Sequence, residues 1–117
     1  MTSKPLTELT ESVSVDDAAD MTRRFRRDFN HLLLPDFKYK HLVAESESFD
    51  RARIEALLAQ PGCAGIRLYS AMKENGEVQQ IVIGYDTQNR DMLEAGLLMT
   101  DSRRCPPDCG PDSRLNS

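Results

Sequence analysis

FDRARIEALLAQPGCAGIRLYSAMKENGEVQQIVIGYD, residues 49–86, contains a change of hydrophobic period that sets the architecture. Up to Gln60 the period is helical: Ile54, Leu57 and Leu58 recur at helical spacing, with Ala52, Ala56 and Ala59 as strong helix formers among them. Ser48 or Asp50 is placed to cap the first turn by accepting from a free backbone N–H. Gln60-Pro61-Gly62 ends the helix, because proline lacks the donor that continuation needs and glycine tolerates positive φ. Beyond Gly65 the period becomes two. Ile66, Leu68, Ser70 and Met72 alternate with Arg67, Tyr69, Ala71 and Lys73. Asn75-Gly76 is the strongest short hairpin signal, since a type I′ turn needs positive φ at both central residues. With a two-residue loop, Glu74 opposes Glu77, Ile66 opposes Tyr85, Leu68 opposes Ile83, Ser70 opposes Ile81 and Met72 opposes Gln79. The face with Ile66, Leu68, Ile81 and Ile83 is then the core face, and the face with Tyr69, Val82 and Val78 is partly covered. A slip of one residue would exchange the two.

Before this stretch, Ser14 or Asp16 opens a helix over VDDAADMTRRFRRDFNHLLL, which Pro35 ends. Ala18, Met21, Phe25, Phe29, Leu32 and Leu33 make its apolar stripe. Asp16, Asp17 and Asp20 complement the positive end of the helix dipole. Phe37, Tyr39 and His41 alternate with Lys38 and Lys40, and Leu42, Val43 and Ala44 prolong the run. The alternation predicts a third strand, which an isolated hairpin needs in water. Glu45 to Ser48 is a polar link. After the hairpin, residues 87–91 are turn chemistry, and 92–99 fits either a strand or a short helix. Residues 1–13 read as a mobile lead-in and 14–100 as a single α+β domain. DSRRCPPDCGPDSRLNS, 101–117, reads as an irregular Cys/Pro tail, ordered only if something ties it down. The expected fold is α+β: two main helices packed on a small antiparallel sheet built around a 66–85 β-hairpin.

The 117 residues suffice for one modest core. A net charge of −4 disfavours bulk attraction to nucleic acid or to an anionic membrane. No apolar run approaches the ~20 residues of a membrane span, and MTSKPLTELTES lacks the apolar region of a signal peptide. The expected location is the cytoplasm, with Cys63, Cys105 and Cys109 as reduced thiols.

Cys105-Pro-Pro-Asp-Cys109 is the most specific chemical feature. Two thiols four positions apart can chelate one zinc ion, with Cys63 as a third ligand and His31 or His41 as a fourth. The same spacing suits a reversible disulfide, or two plain thiols. Arg23 and Arg27 share a helix face that could hold phosphates or rim a protein contact, although interleaved aspartates favour a solvated face. Arg67 and Tyr69, beside Gly84, offer an anion pocket or a docking spot; the plainer reading pairs Arg67 with Glu55 or Asp86. No phosphate loop, nucleophile elbow or zinc-protease motif is present, so no residue supports a catalytic reading.

The run FDRARIEALLAQPGCAGIRLYSAMKENG, then IVIGYD and CPPDCGPDSRLNS, resembles a group of small uncharacterised bacterial proteins. The shared features are Gly65, Arg67 and Tyr69 in a strand, a glycine-turn hairpin, and a tail with Cys105, Pro106, Pro107 and Cys109. The resemblance implies the architecture and carries no activity. The expected function is a non-catalytic interaction module or small subunit with a protein partner, including a homodimer through the first helix or the 66–73 or 78–85 edge. The alternative is a metal- or redox-responsive protein using Cys105 and Cys109, with zinc as the candidate cofactor.

Overall fold

The computed structural model describes residues 5–100 and 102–117. It is an α+β fold with two α-helices and two small antiparallel sheets. Helix α1 spans Val15–Asp28, strand β1 Ser46–Ser48, helix α2 Arg51–Leu58, strand β2 Cys63–Met72, strand β3 Val78–Asp86 and strand β4 Arg103–Cys105. β2 pairs with β3, and β1 with β4.

The hairpin forms where the period changes, but its loop is longer than Asn75-Gly76 alone. Lys73 N–H donates to Glu77 O and Gly76 N–H to Lys73 O, both at 2.9 Å. Only Gly76 takes positive φ, at +90°, while Asn75 does not. This is a three-residue loop, a turn followed by a left-handed glycine, rather than a type I′ turn. The Asn75 side chain favours it by accepting the Glu77 N–H at 3.0 Å.

The register therefore differs by one from the expected one. Ile66 opposes Gly84, Arg67 opposes Ile83, Leu68 opposes Val82 and Tyr69 opposes Ile81. The expected core face is corrected with it. Ile66, Leu68 and Met72 are 40%, 55% and 70% exposed, whereas Val82 and Ile83 are 0% and 1% exposed. Burial here follows position in the sheet more than face: β3 is interior and β2 is an edge.

What makes β3 interior is the segment after it. Val82 and Met99 exchange backbone hydrogen bonds at 2.9 and 3.1 Å, and Met92 N–H donates to Gly84 O at 2.9 Å. Residues 91–99 thus lie along the outer side of β3 through isolated bridges, as neither a full strand nor a helix. Farther along that side, Val78 N–H donates to Leu42 O at 2.7 Å.

The third strand expected from Phe37 to Ala44 does not form. Pro35–Phe37 is a 3-10 turn, and Tyr39 and His41 take φ of 61° and 50°, which breaks the alternation. Strand β1 forms later, in the polar link, because the tail returns to it. Ser46, Glu47 and Ser48 oppose Cys105, Arg104 and Arg103. The irregular tail expected from residue 101 therefore contains a strand; Asp101 itself lies outside the described residues.

Asp50 caps α2 by accepting from Arg53 N–H at 3.3 Å, and Gly62 at φ +81° lies in the break after it. Leu57 of α2 is fully buried and packs with Val82 and Met99, with Phe49 and Ile54 around them. Leu58, expected in the same stripe, is 50% exposed. Ser14 caps α1 by accepting from Asp17 N–H at 3.0 Å.

α1 stops at Asp28 and continues as a 3-10 turn over Phe29–Leu32, so the helix expected to run up to Pro35 is shorter. Phe25, Phe29 and Leu33 line a pocket with Leu42 and Val43, and the Phe25 and Phe29 rings lie 4.7 Å apart. Met21 and Leu32 face outward. Among the described residues, α2 is the helix that lies against the hairpin; α1 packs on the turn that follows it and on the 41–45 segment. The expected lead-in, 1–13, is described from Pro5, and Leu6 O accepts from the Tyr85 hydroxyl at 2.6 Å. Among the described residues, no helix is long and apolar enough to cross a membrane.

Candidate functional site

The outer edge of β2 follows from the hairpin register. Lys73 bonds inward to Glu77, so alternation turns the N–H and C=O of Arg67, Tyr69 and Ala71 toward β3. Those of Ile66, Leu68, Ser70 and Met72 then point away from β3. Among the described residues, no strand pairs with that side. The same four residues carry the exposed apolar side chains Ile66, Leu68 and Met72.

The opposite face of β2 carries Arg67 and Tyr69, two of the four candidate interaction residues. Both are tied to one carboxylate. Arg67 Nη1 lies 2.6 Å from Asp91 Oδ1, and the Tyr69 hydroxyl donates to Asp91 Oδ2 at 2.5 Å. Arg67 also donates to the side-chain oxygen of Asn89, which sits at φ 67° in the turn. Its guanidinium lies 4.8 Å from the centre of the Tyr85 ring.

That ring needs the space that Gly65 leaves: a Cβ there would come within 2.8 Å of the Tyr85 oxygen. Asp91, rather than Glu55 or Asp86, is therefore the partner of Arg67. The Tyr69 hydroxyl, followed by the Arg67 guanidinium, holds the Asp91 carboxyl below the ordinary carboxylate range. The same hydrogen bond to Asp91 raises the Tyr69 phenol.

The pocket expected beside Gly84 does not form. In the actual register Gly84 lies opposite Ile66. The space above it is filled by Gln60, Cys63 and Met92, with Cys63 Sγ 3.2 Å from where a Cβ would sit.

Arg23 and Arg27 pair with Asp20 and Asp28 at 2.9 and 2.6 Å on the exposed helix surface. The structure brings neither to Arg67 or to a shared pocket with it. An open cavity of about 420 Å³ lies beside Asp86, Asp91 and Glu94. Its Asp86 carboxylate is occupied by Arg90, at 3.0 Å, and by the backbone of residues 88 and 90.

The cysteine tail is tied down. Cys105 and Cys109 are joined as a disulfide, with Cα atoms 4.6 Å apart, a separation within the range such bonds accept. Cys105 is 3% exposed. Glu45 N–H donates to Cys105 O at 2.8 Å, and one oxygen of its carboxylate lies within 4.8 Å of both sulfurs. Cys63 does not join them. It is a free thiol, half-buried, donating to Gly65 O at 3.3 Å. Neither histidine belongs to the cluster, and His31 and His41 are both exposed. The expected ligand set thus loses Cys63 and the histidines and gains Glu45.

Sequence reasoning missed Arg104. Its side chain is 11% exposed and reaches across the molecule. It donates to Val78 O at 2.5 Å, His41 O at 3.0 Å and Leu42 O at 3.2 Å. Glu77 and Glu47 lie 3.5 and 4.0 Å away. The tail runs on to α1, where Arg26 donates to Leu115 O and Ser117 O at 2.7 and 2.6 Å, and Arg114 pairs with Asp16. Comparison with protein-family models, curated proteins and solved structures gave no match.

Proposed function

We propose that this chain is a non-catalytic interaction module that assembles with a second copy of itself along the outer edge of β2. One observation carries the reading: a ten-residue strand whose outer side has no strand partner among the described residues, and which exposes Ile66, Leu68 and Met72. Such an edge is a template for another strand. The 78–85 edge is already covered by residues 91–99, which leaves β2 as the open side of the sheet.

The edge is self-complementary. Two antiparallel copies about a two-fold axis can set Ile66 against Met72 and Leu68 against Ser70, in both directions. This register uses all four outward-facing residues and forms about eight backbone hydrogen bonds. Tyr69 meets its own copy at the axis, Arg67 faces Ala71, and Lys73 faces Gly65, so no like charges are opposed. The result is a four-stranded sheet with β2 interior.

A cytoplasmic location belongs to the same reading, and there the Cys105–Cys109 disulfide would be of the transient, redox-sensing kind. So does kinship with small bacterial proteins bearing a Cys-Pro-Pro tail. Light scattering at micromolar concentration tests the assembly. The expected mass is twice the 13.2 kDa chain. Leu68→Lys, or Ser70→Pro, which removes an outward N–H and the exposed hydroxyl that accepts from Gln80 at 3.5 Å, should return it to one chain mass with unchanged circular dichroism. A wild-type mass of one chain, constant on concentration, would overturn the reading.

A further inference from the structure

The clip at Cys105 and Cys109 has geometry that survives opening of its own covalent bond. Its backbone is held independently: Glu45 N–H donates to Cys105 O, and Asp108 N–H to Arg104 O at 2.9 Å. Arg103 and Asp108 add an ion pair at 3.0 Å, and Cys105 is locked opposite Ser46 in the β1–β4 pair. Reduction therefore leaves two thiols and the Glu45 carboxylate facing one point.

We propose that Cys105, Cys109 and Glu45 are a redox-gated site for a thiophilic divalent cation of the zinc type. The disulfide takes two electrons and two protons from a dithiol reductant, which itself becomes a disulfide. The cation then displaces both thiol protons and forms two metal–sulfur bonds and one metal–oxygen bond. Tetrahedral zinc with metal–sulfur bonds of about 2.3 Å requires sulfurs about 3.8 Å apart. Cα atoms 4.6 Å apart allow that by side-chain rotation alone. The Glu45 oxygen, within 4.8 Å of both sulfurs, needs a similarly small movement. Two thiolates and a carboxylate select zinc or cadmium over magnesium or calcium, which prefer all-oxygen shells. Three protein ligands leave the fourth position to water, so the ion is exchangeable rather than a closed structural centre.

The test uses the full chain, oxidised or reduced with a phosphine and desalted under nitrogen, and then titrated with Zn²⁺ or Cd²⁺. Native mass spectrometry should show one ion on the reduced protein and none on the oxidised one. Cadmium should give a thiolate charge-transfer absorption that disappears in Cys109→Ser. Glu45→Gln should weaken zinc by about tenfold or more, at least the loss seen when an outer-shell partner is removed. Cys63→Ser should bind as wild type, which separates this site from adventitious thiol binding. Equal binding by the oxidised form, no binding by the reduced form, loss of binding in Cys63→Ser, or an unchanged affinity in Glu45→Gln would each overturn the assignment.

Discussion

Replacing Arg104 by Met keeps most of the side-chain stem and removes the guanidinium that joins the tail to the hairpin. Three backbone carbonyls lose a charged donor: Val78 O at 2.5 Å, His41 O at 3.0 Å and Leu42 O at 3.2 Å. His41 is exposed and Leu42 half-buried, so water replaces most of what those two lose. Val78 O loses the shortest of the three bonds, and Glu47, with a side chain only 13% exposed, loses its ion pair with Arg104. A hydrogen bond to a charged group contributes about 1.5–3 kcal/mol, and the mostly buried Glu47 carboxylate, though still bonded by Ser102 and Gln80, loses its counter-charge, so the variant should be about 2–4 kcal/mol less stable. For a chain of this size each kcal/mol shifts the midpoint by about 3–5 °C, giving a fall of roughly 6–20 °C. Thermal unfolding followed by circular dichroism measures it. Arg103→Met is the control: the neighbouring arginine is 73% exposed and makes one surface pair with Asp108, so about 0–1 kcal/mol is expected. Equal midpoints for the two variants would refute the account of Arg104 as the residue that binds the two sheets together.

Leu57→Ala, at a fully buried position between Val82 and Met99, should cost about 2–5 kcal/mol. Leu68→Ala, at a position 55% exposed, should cost under about 1 kcal/mol, and chemical denaturation that reversed this order would contradict the observed register. Asp91 has a depressed pKa because Tyr69 and Arg67 bond its ionised form. Its contribution is present above the unfolded value of about 3.9 and is lost as pH falls through the lower folded value. Acid titration of the Asp91 carboxyl carbon by NMR should therefore show a midpoint below that of a model peptide, and Asp91→Asn should flatten the acid side of the stability curve. Tyr69 has the opposite sign: its raised pKa stabilises below about pH 10, and the contribution fades as pH rises through the folded value. A Tyr69 that ionised at the free-phenol value in an absorbance titration would contradict the Asp91 bond.

Local signals were the legible ones. The cap at Asp50, the stop at Gly62 and the change of period after Gly65 each depend on residues a few positions apart, and each formed. The hairpin register depended on a competition that the dipeptide alone does not resolve. Asn-Gly suits a two-residue loop, but the Asn75 side chain gains the Glu77 N–H in a three-residue one.

The exposed state of Leu68 was hidden for a different reason. Alternation tells which residues share a face, and says nothing about whether a strand is central or at an edge. That was settled by residues 91–99, whose composition carries no strand period. Cys105 and Cys109 were legible as a pair. Glu45 and Arg104 were not, because their roles depend on the β1–β4 pairing between segments more than fifty residues apart. Three-residue strands leave no periodic trace.

The pairing of Arg114 with Asp16, across 98 residues of sequence, has a consequence for the order in which the molecule is assembled. During synthesis, α1 emerges well before its anchors on 114–117. The hairpin closes over a few residues and can form as soon as Val78–Asp86 has emerged, whereas long-range closures cost more chain entropy and wait for their second half. Until those anchors arrive, α1 has only the 29–45 segment to lean on, and Arg26 and Asp16 lack their tail partners. The nascent chain passes through a stage in which the hairpin is formed while α1 is held only by its neighbouring segments. That interval ends only when residues 103–117 come back across the molecule.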